Sequence, residues 1–145
     1  MSPLTETIEM KIPANPKFLK VIRLWVRLIS EVVGFSVEAS NNIALGIDEA
    51  CSNIIKHAYK KSTRLPIEIS CHIYSDRVEF LLRDFGEKMN IAAIKSRDLN
   101  DIRPGGLGVH LIKSVMDEVI YDNSSEIGNQ LLLVKYFNKR GIAQP

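Results

Sequence analysis

Several protein classes are excluded by what this sequence lacks. No apolar run in its 145 residues approaches the length of about 20 residues that a membrane-spanning helix needs. No signal peptide opens it, so the expected location is the cytoplasm. Charge of one sign is scarce as well. Nineteen basic and seventeen acidic residues leave a net charge of +2, and the basic ones do not collect into a run. That argues against direct nucleic-acid binding. Only two cysteines are present, Cys51 and Cys71. Both sit inside apolar patterns without metal-ligand spacing, so they are expected to be buried free thiols in a reducing compartment. Repeats and low-complexity tracts are lacking too. What is present is 46% hydrophobic and 25% charged sequence, the composition of a globular chain. The expectation is one domain over 1–145, with a core of useful size.

Hydrophobic periodicity divides the chain. Thr7 to Ile12 alternates as a half-buried strand. Asn15 can cap a helix with Pro16 at its first position, and Phe18, Val21, Ile22, Trp25, Leu28, Ile29 and Val32 follow at helical spacing. Gly34 stops that helix, and Ser36 can cap a second one running to about Tyr59. Ile67 to Ile73 and Val78 to Leu82 alternate around a short turn, which predicts an antiparallel hairpin. The pattern weakens from Glu87 to Pro104, apart from one possible short helix at Ile91 to Lys95. A connection this long in a small chain is usually functional or mobile. A glycine-led helix then precedes two closing strands, Glu118 to Tyr121 and Gln130 to Phe137, and a polar tail over 138–145. The order predicts a two-layer α+β sandwich: helices on one face of a mixed, mostly antiparallel sheet.

Three segments carry chemistry. In "RPGGLGVHLI", Gly105, Gly106, Leu107 and Gly108 lead directly into a helix. Glycines let the backbone approach a bulky group, and the free N–H donors of a helix start favour an anion such as phosphate. The alternative is a tight turn into a helix. The pattern is neither a Walker A loop nor a dinucleotide fingerprint. Asp84-Phe85-Gly86 ends a strand. Its carboxylate can accept from an exocyclic amine, as on adenine, and its glycine can admit a flat ring. A plain strand-end turn is the alternative. In "DEACSNIIKHAY", Glu49, Asn53 and His57 recur every four residues along one face, opposite the apolar Ile43, Ile47, Ala50, Cys51, Ile54 and Ala58. Glu49 suits a general base. The Asn53 amide oxygen suits Mg²⁺ beside phosphate and water. For His57 the plainer reading is a satisfied, partly buried histidine.

Taken together and in this order, the three segments resemble the motifs of the GHKL ATPase superfamily, and most closely the small bacterial anti-sigma-factor serine kinases of the RsbW type. The resemblance runs from about Glu6 to Phe137 and includes "MDEVIYD" and "GNQLLLVKYF". It implies the Bergerat-type fold and a kinase that uses ATP and Mg²⁺. Glu49 would activate a serine or threonine hydroxyl on a protein. Asn53 would ligate Mg²⁺, Asp84 would read the adenine amine, and Gly86 would make room for the ring. The amides around Gly105 to Gly108 would hold phosphates, Asn129 would sit near the adenine, and 87–104 would be the ATP lid, with Arg103 in reach of a phosphate.

The implied partners are a sigma factor and an anti-anti-sigma antagonist of the STAS type, and the implied assembly is a homodimer. Two positions depart from the superfamily pattern. Lys88 stands where a second glycine is common, and Asn129 follows Gly128 where threonine is common. Both bear on catalytic rate more than on ATP binding. A binding module with little or no kinase activity is therefore the competing function.

Overall fold

The computed structural model describes residues 2–60, 64–91 and 106–137, with 106–110 described by backbone alone. Strand β1 (Leu4–Pro13) begins earlier than its alternation suggests. A 3-10 turn (Pro16–Phe18) follows, and its first donor is met by Asn15, whose side chain accepts from Lys17 N at 3.1 Å. Helix α1 (Leu19–Val33) ends at Gly34, whose φ of 122° is one that residues with a Cβ rarely adopt. Ser36 Oγ accepts from Ala39 N at 3.1 Å and starts helix α2 (Val37–Asn53). Strands β2 (Pro66–Tyr74) and β3 (Arg77–Asp84), helix α3 (Gly106–Val115), and strands β4 (Glu118–Asp122) and β5 (Asn129–Tyr136) complete the chain.

The five strands lie in the order β1-β2-β3-β5-β4, and every pairing among the described residues is antiparallel. Because β5 returns between β3 and β4, its first residue, Asn129, is paired with Asp84, the last residue of β3. That register places two polar side chains at one end of an otherwise apolar sheet face. Alternate residues of β2 and β3 are buried, as strands covered on one face require. Ile67, Ile69, Phe80 and Leu82 join Ile43 and Ile47 of α2 and Ile112 of α3 in one core. Burying each such isoleucine fully contributes about 1.5–3 kcal/mol. Cys51 and Cys71 are buried free thiols within it.

Helix α1 departs from its expected role as a helix with a single core stripe. Ile22 and Ile29 are buried and Trp25 is half-buried, but Val21, Leu28 and Val32 are exposed, as is Leu24. The apolar arc is wider than the core can cover, so one edge of it faces outward. Arg23 anchors the helix to α2 through Asp48 at 3.1 Å, a half-exposed pair contributing at most about 1 kcal/mol.

Helix α2 does not end in a regular turn. Over Ile54–Ala58 it widens into a π-turn, in which Tyr59 N donates to Ile54 O at 3.0 Å. The extra residue swings Tyr59 inward and leaves the Ala58 carbonyl free to accept from Glu87 N at 2.9 Å. The end of α2 is thereby stitched to the chain leaving β3.

Candidate functional site

Asn53 is the last residue of α2, and Glu49 lies one turn before it; both are half-buried. Beyond the π-turn start, His57 is exposed rather than the partly buried histidine the sequence suggested. It lies in the π-turn over Ile54–Ala58, whose buried residues are Ile54 and Ile55.

Asp84 is buried at the end of β3. Its Oδ1 accepts from Gly86 N at 3.0 Å and from Asn129 Nδ2 at 3.0 Å, Oδ2 accepts from the same Nδ2 at 3.3 Å, and the Asn129 backbone N–H also bears on the carboxylate. Burial pushes the carboxyl above its ordinary value, and the donors from Gly86 and Asn129 oppose that shift. Asn129 also donates to Glu87 O at 2.8 Å and accepts from Met89 N at 2.8 Å.

Tyr59 locks this corner. Its hydroxyl donates to Pro66 O at 2.5 Å and accepts from Phe85 N at 2.8 Å. Burial raises its pKa to about 12; the Phe85 N–H bond opposes the rise, and the charge of Asp84 adds to it. The sequence reading missed this residue. A tyrosine directly after the helical run was its only trace.

Asn53, Asp84 and Asn129 line one cavity of about 270 Å³. Much of its wall is apolar, with Ile54, Leu82, Ile112 and Leu131 among the lining residues, and the polar His57 and Lys88 line it as well. A flat heteroaromatic ring fits such walls, and Asp84 Oδ2 supplies an acceptor for a ring amine. Asn53 offers one neutral oxygen. Among the described residues no group of three or more His, Cys, Asp or Glu side chains is placed to hold a metal. That donor set suits Mg²⁺ carried in by phosphate oxygens and water, not a protein cage.

Other predicted residues fall differently. Glu49 is not among the cavity-lining residues. Gly86 is demanded by packing: an added Cβ would collide with the Ala58 carbonyl and lie 2.7 Å from Tyr59 Cδ1. The helix end therefore explains that glycine without appeal to a ring. Gly128 has φ +73°, and a Cβ there would lie 2.7 Å from Phe85 Cα, so it too holds the corner closed. Gly106, Leu107 and Gly108 form the first turn of α3, which leaves the N–H donors of a helix start there. Gly105, Arg103 and the segment 92–104 of the expected lid lie outside the described residues, as does the tail over 138–145.

Comparison with known proteins agrees with the motif order. The model of the histidine kinase-like ATPase domain matches residues 12–135. A serine-protein kinase RsbW of Halalkalibacterium halodurans is 32% identical, over 92% of this chain and 85% of its own. That of Bacillus subtilis is 31% identical, over 90% and 86%. That of Staphylococcus epidermidis is 32% identical, over 98% and 94%. Matches of this extent, on a chain whose two distant motifs meet in one cavity, show that it belongs to the histidine kinase-like ATPase family and, within it, to the RsbW type of serine-protein kinases.

Proposed function

We propose that this protein is a cytoplasmic anti-sigma factor that uses Mg-ATP to phosphorylate a serine or threonine of a STAS-type anti-anti-sigma antagonist, exchanging one protein partner for the other. The observation that carries this reading is the meeting of Asn53 and Asp84, thirty-one residues apart in sequence, on one apolar cavity. In it Asp84 holds the adenine amine, Asn53 supplies an oxygen to the metal, and the helix start at Gly106 to Gly108, with Gly105 before it, faces the phosphates. Bound Mg²⁺, together with the N–H donors of that helix start, would supply the charge neutralisation that phosphoryl transfer needs. Glu49 takes the proton of the attacking hydroxyl, and its place beyond the cavity lining suits a hydroxyl that arrives on another protein. Incubation with radiolabelled ATP, Mg²⁺ and a genomically neighbouring antagonist protein is expected to yield a labelled antagonist. An unlabelled antagonist with ATP bound would favour the second reading, a binding module, for which the departures at Lys88 and Asn129 speak.

The metal role of Asn53 has its own signature. Asn53→Ala is expected to weaken nucleotide binding in Mg²⁺ by about 10-fold, the loss of one bond to a charged group, and far less in EDTA. Titrations in the two buffers check this; an equal loss in both would make Asn53 a structural residue.

A homodimer is part of the same reading. The outward stripe Val21, Leu24, Leu28 and Val32 supports it: an uncharged, exposed face that a two-fold axis can bury against its own copy. Lys20, Arg23, Arg27 and Glu31 keep to another arc of the helix. Leu28→Glu is expected to convert the dimer to a monomer in sedimentation equilibrium at micromolar concentration. A variant that remains dimeric would move the interface elsewhere, and a monomeric wild type would leave the stripe to another partner.

A further inference from the structure

Asn129 is one of the two departures from the superfamily pattern, and the structure gives it more to do than a threonine could. It is 1% exposed, and its amide is used at both ends. One Nδ2 proton goes to Asp84 and the other to Glu87 O at 2.8 Å, while Oδ1 accepts from Met89 N at 2.8 Å. The orientation is forced. A flipped amide would set NH₂ against the Met89 N–H, and its oxygen against a carboxylate and a carbonyl. A threonine hydroxyl has one proton and a shorter reach, so it cannot serve Asp84, Glu87 and Met89 at once.

Two consequences follow for the cavity. Asp84 Oδ1 takes the two 3.0 Å bonds from Gly86 N and Asn129 Nδ2, whereas Oδ2 has the longer 3.3 Å bond from Nδ2, which makes Oδ2 the oxygen with more acceptor capacity for a bound ring. The stretch Glu87 to Met89, which lines the same cavity, is fixed by the same side chain. The second departure, Lys88, holds that stretch from its other side. Its ammonium donates to Asn123 O at 2.7 Å and to Ser125 O, and Asn123 Nδ2 donates to Met89 O at 3.1 Å. The β4–β5 turn and the first residue of β5 thus clamp one wall.

We propose that Asn129 is a positioning residue that sets base selectivity in this chain: it holds Asp84 so that Oδ2, the less heavily bonded carboxylate oxygen, is the acceptor for the base, and it fixes the Glu87–Met89 wall beside it. The inference rests on the nucleotide reading of the cavity. A base with an amine at this point completes the Asp84 hydrogen bonds. A base with a carbonyl there leaves a buried carboxylate facing another acceptor, so it is rejected.

The test compares ADP with inosine diphosphate, whose base carries a carbonyl where adenine carries its amine. Dissociation constants are measured by calorimetry, with unfolding temperatures taken alongside. Wild type is expected to prefer ADP by about 10- to 100-fold, the cost of an unpaired buried acceptor. Asn129→Ala is expected to lose most of that preference, chiefly through weaker ADP binding. Asn129→Asp keeps the size and the acceptor for Met89 N–H, so it guards against a misfolded Ala variant. Its carboxylate beside Asp84 makes the pair hold a proton, which offers the base a donor, and the preference should fall at least as far. An unchanged ADP preference in a folded variant, with both affinities lowered in parallel, would reduce Asn129 to a structural residue and overturn the inference. A wild type that binds neither nucleotide would overturn the reading of the cavity itself.

Discussion

Glu49→Gln is expected to bind nucleotide and protein partners nearly as wild type does, while losing phosphotransfer by about 10²–10⁴-fold, the usual contribution of a general base. The substitution keeps shape and hydrogen-bonding reach and removes only the basic carboxylate. Glu49 is half-buried, one turn before Asn53, and is not among the residues lining the cavity, which is why its substitution is expected to spare nucleotide affinity. Its neighbour Asp48 is the residue tied to Arg23, which leaves the two acidic side chains with separate duties. Single-turnover phosphorylation measured beside ADP affinity distinguishes the outcomes. Unchanged transfer would remove Glu49 from the base role, and a parallel loss of affinity would place it in nucleotide binding.

Asp84→Asn is expected to abolish most of the thermal stabilisation that nucleotide gives. At about 100-fold excess over the dissociation constant, one-site binding stabilises wild type by about 2.7 kcal/mol. An asparagine at 84 would have to present acceptors to Gly86 N, Asn129 Nδ2 and a base amine with one oxygen, so a donor ends against a donor. The same carboxyl gives a pH dependence of known sign. Burial raises its pKa in the folded protein, so the free protein takes up a proton there more readily than the unfolded chain. Its contribution to stability is therefore fully present below the ordinary aspartate value of about 3.9 and is lost as pH rises through the raised one. Nucleotide binding runs the opposite way, because only the ionised form leaves Oδ2 free to accept. The ADP-induced shift in unfolding temperature should shrink as pH falls through the window above 3.9, and Asp84→Asn should lack that trend. A wild-type shift that is flat across the window would contradict the acceptor role.

Much of this fold could be read from the sequence because its elements are locally determined. Asn15, Gly34 and Ser36 mark the first two helices through their own backbone chemistry, and the alternations from Ile67 and from Val78 mark a hairpin whose faces are set by period 2. The limits of β1 and of α1's core stripe were less legible. A wide apolar arc does not say which of its edges will be covered, and Val21, Leu28 and Val32 proved to be on the uncovered one. In the site, Asn53 and Asp84 were visible as residue types suited to a task. Their meeting depends on β5 returning between β3 and β4, a long-range pairing that no local pattern encodes. The π-turn was invisible for a related reason: it answers to Tyr59 reaching Pro66 and Phe85, not to helix propensity. Asn129 read as a departure from the superfamily pattern because its three partners, Asp84, Glu87 and Met89, come together only in three dimensions.

That one cavity joins the end of α2 to the corner of β3 and β5 as a nucleotide site is best checked by backbone and side-chain amide chemical shifts during titration with Mg-ADP. Saturable shifts are predicted at Asn53, Gly86, Met89, Asn129 and Leu131, with the Asn129 side-chain amide among the largest. Shifts confined to other surfaces, or none at millimolar Mg-ADP, would contradict it.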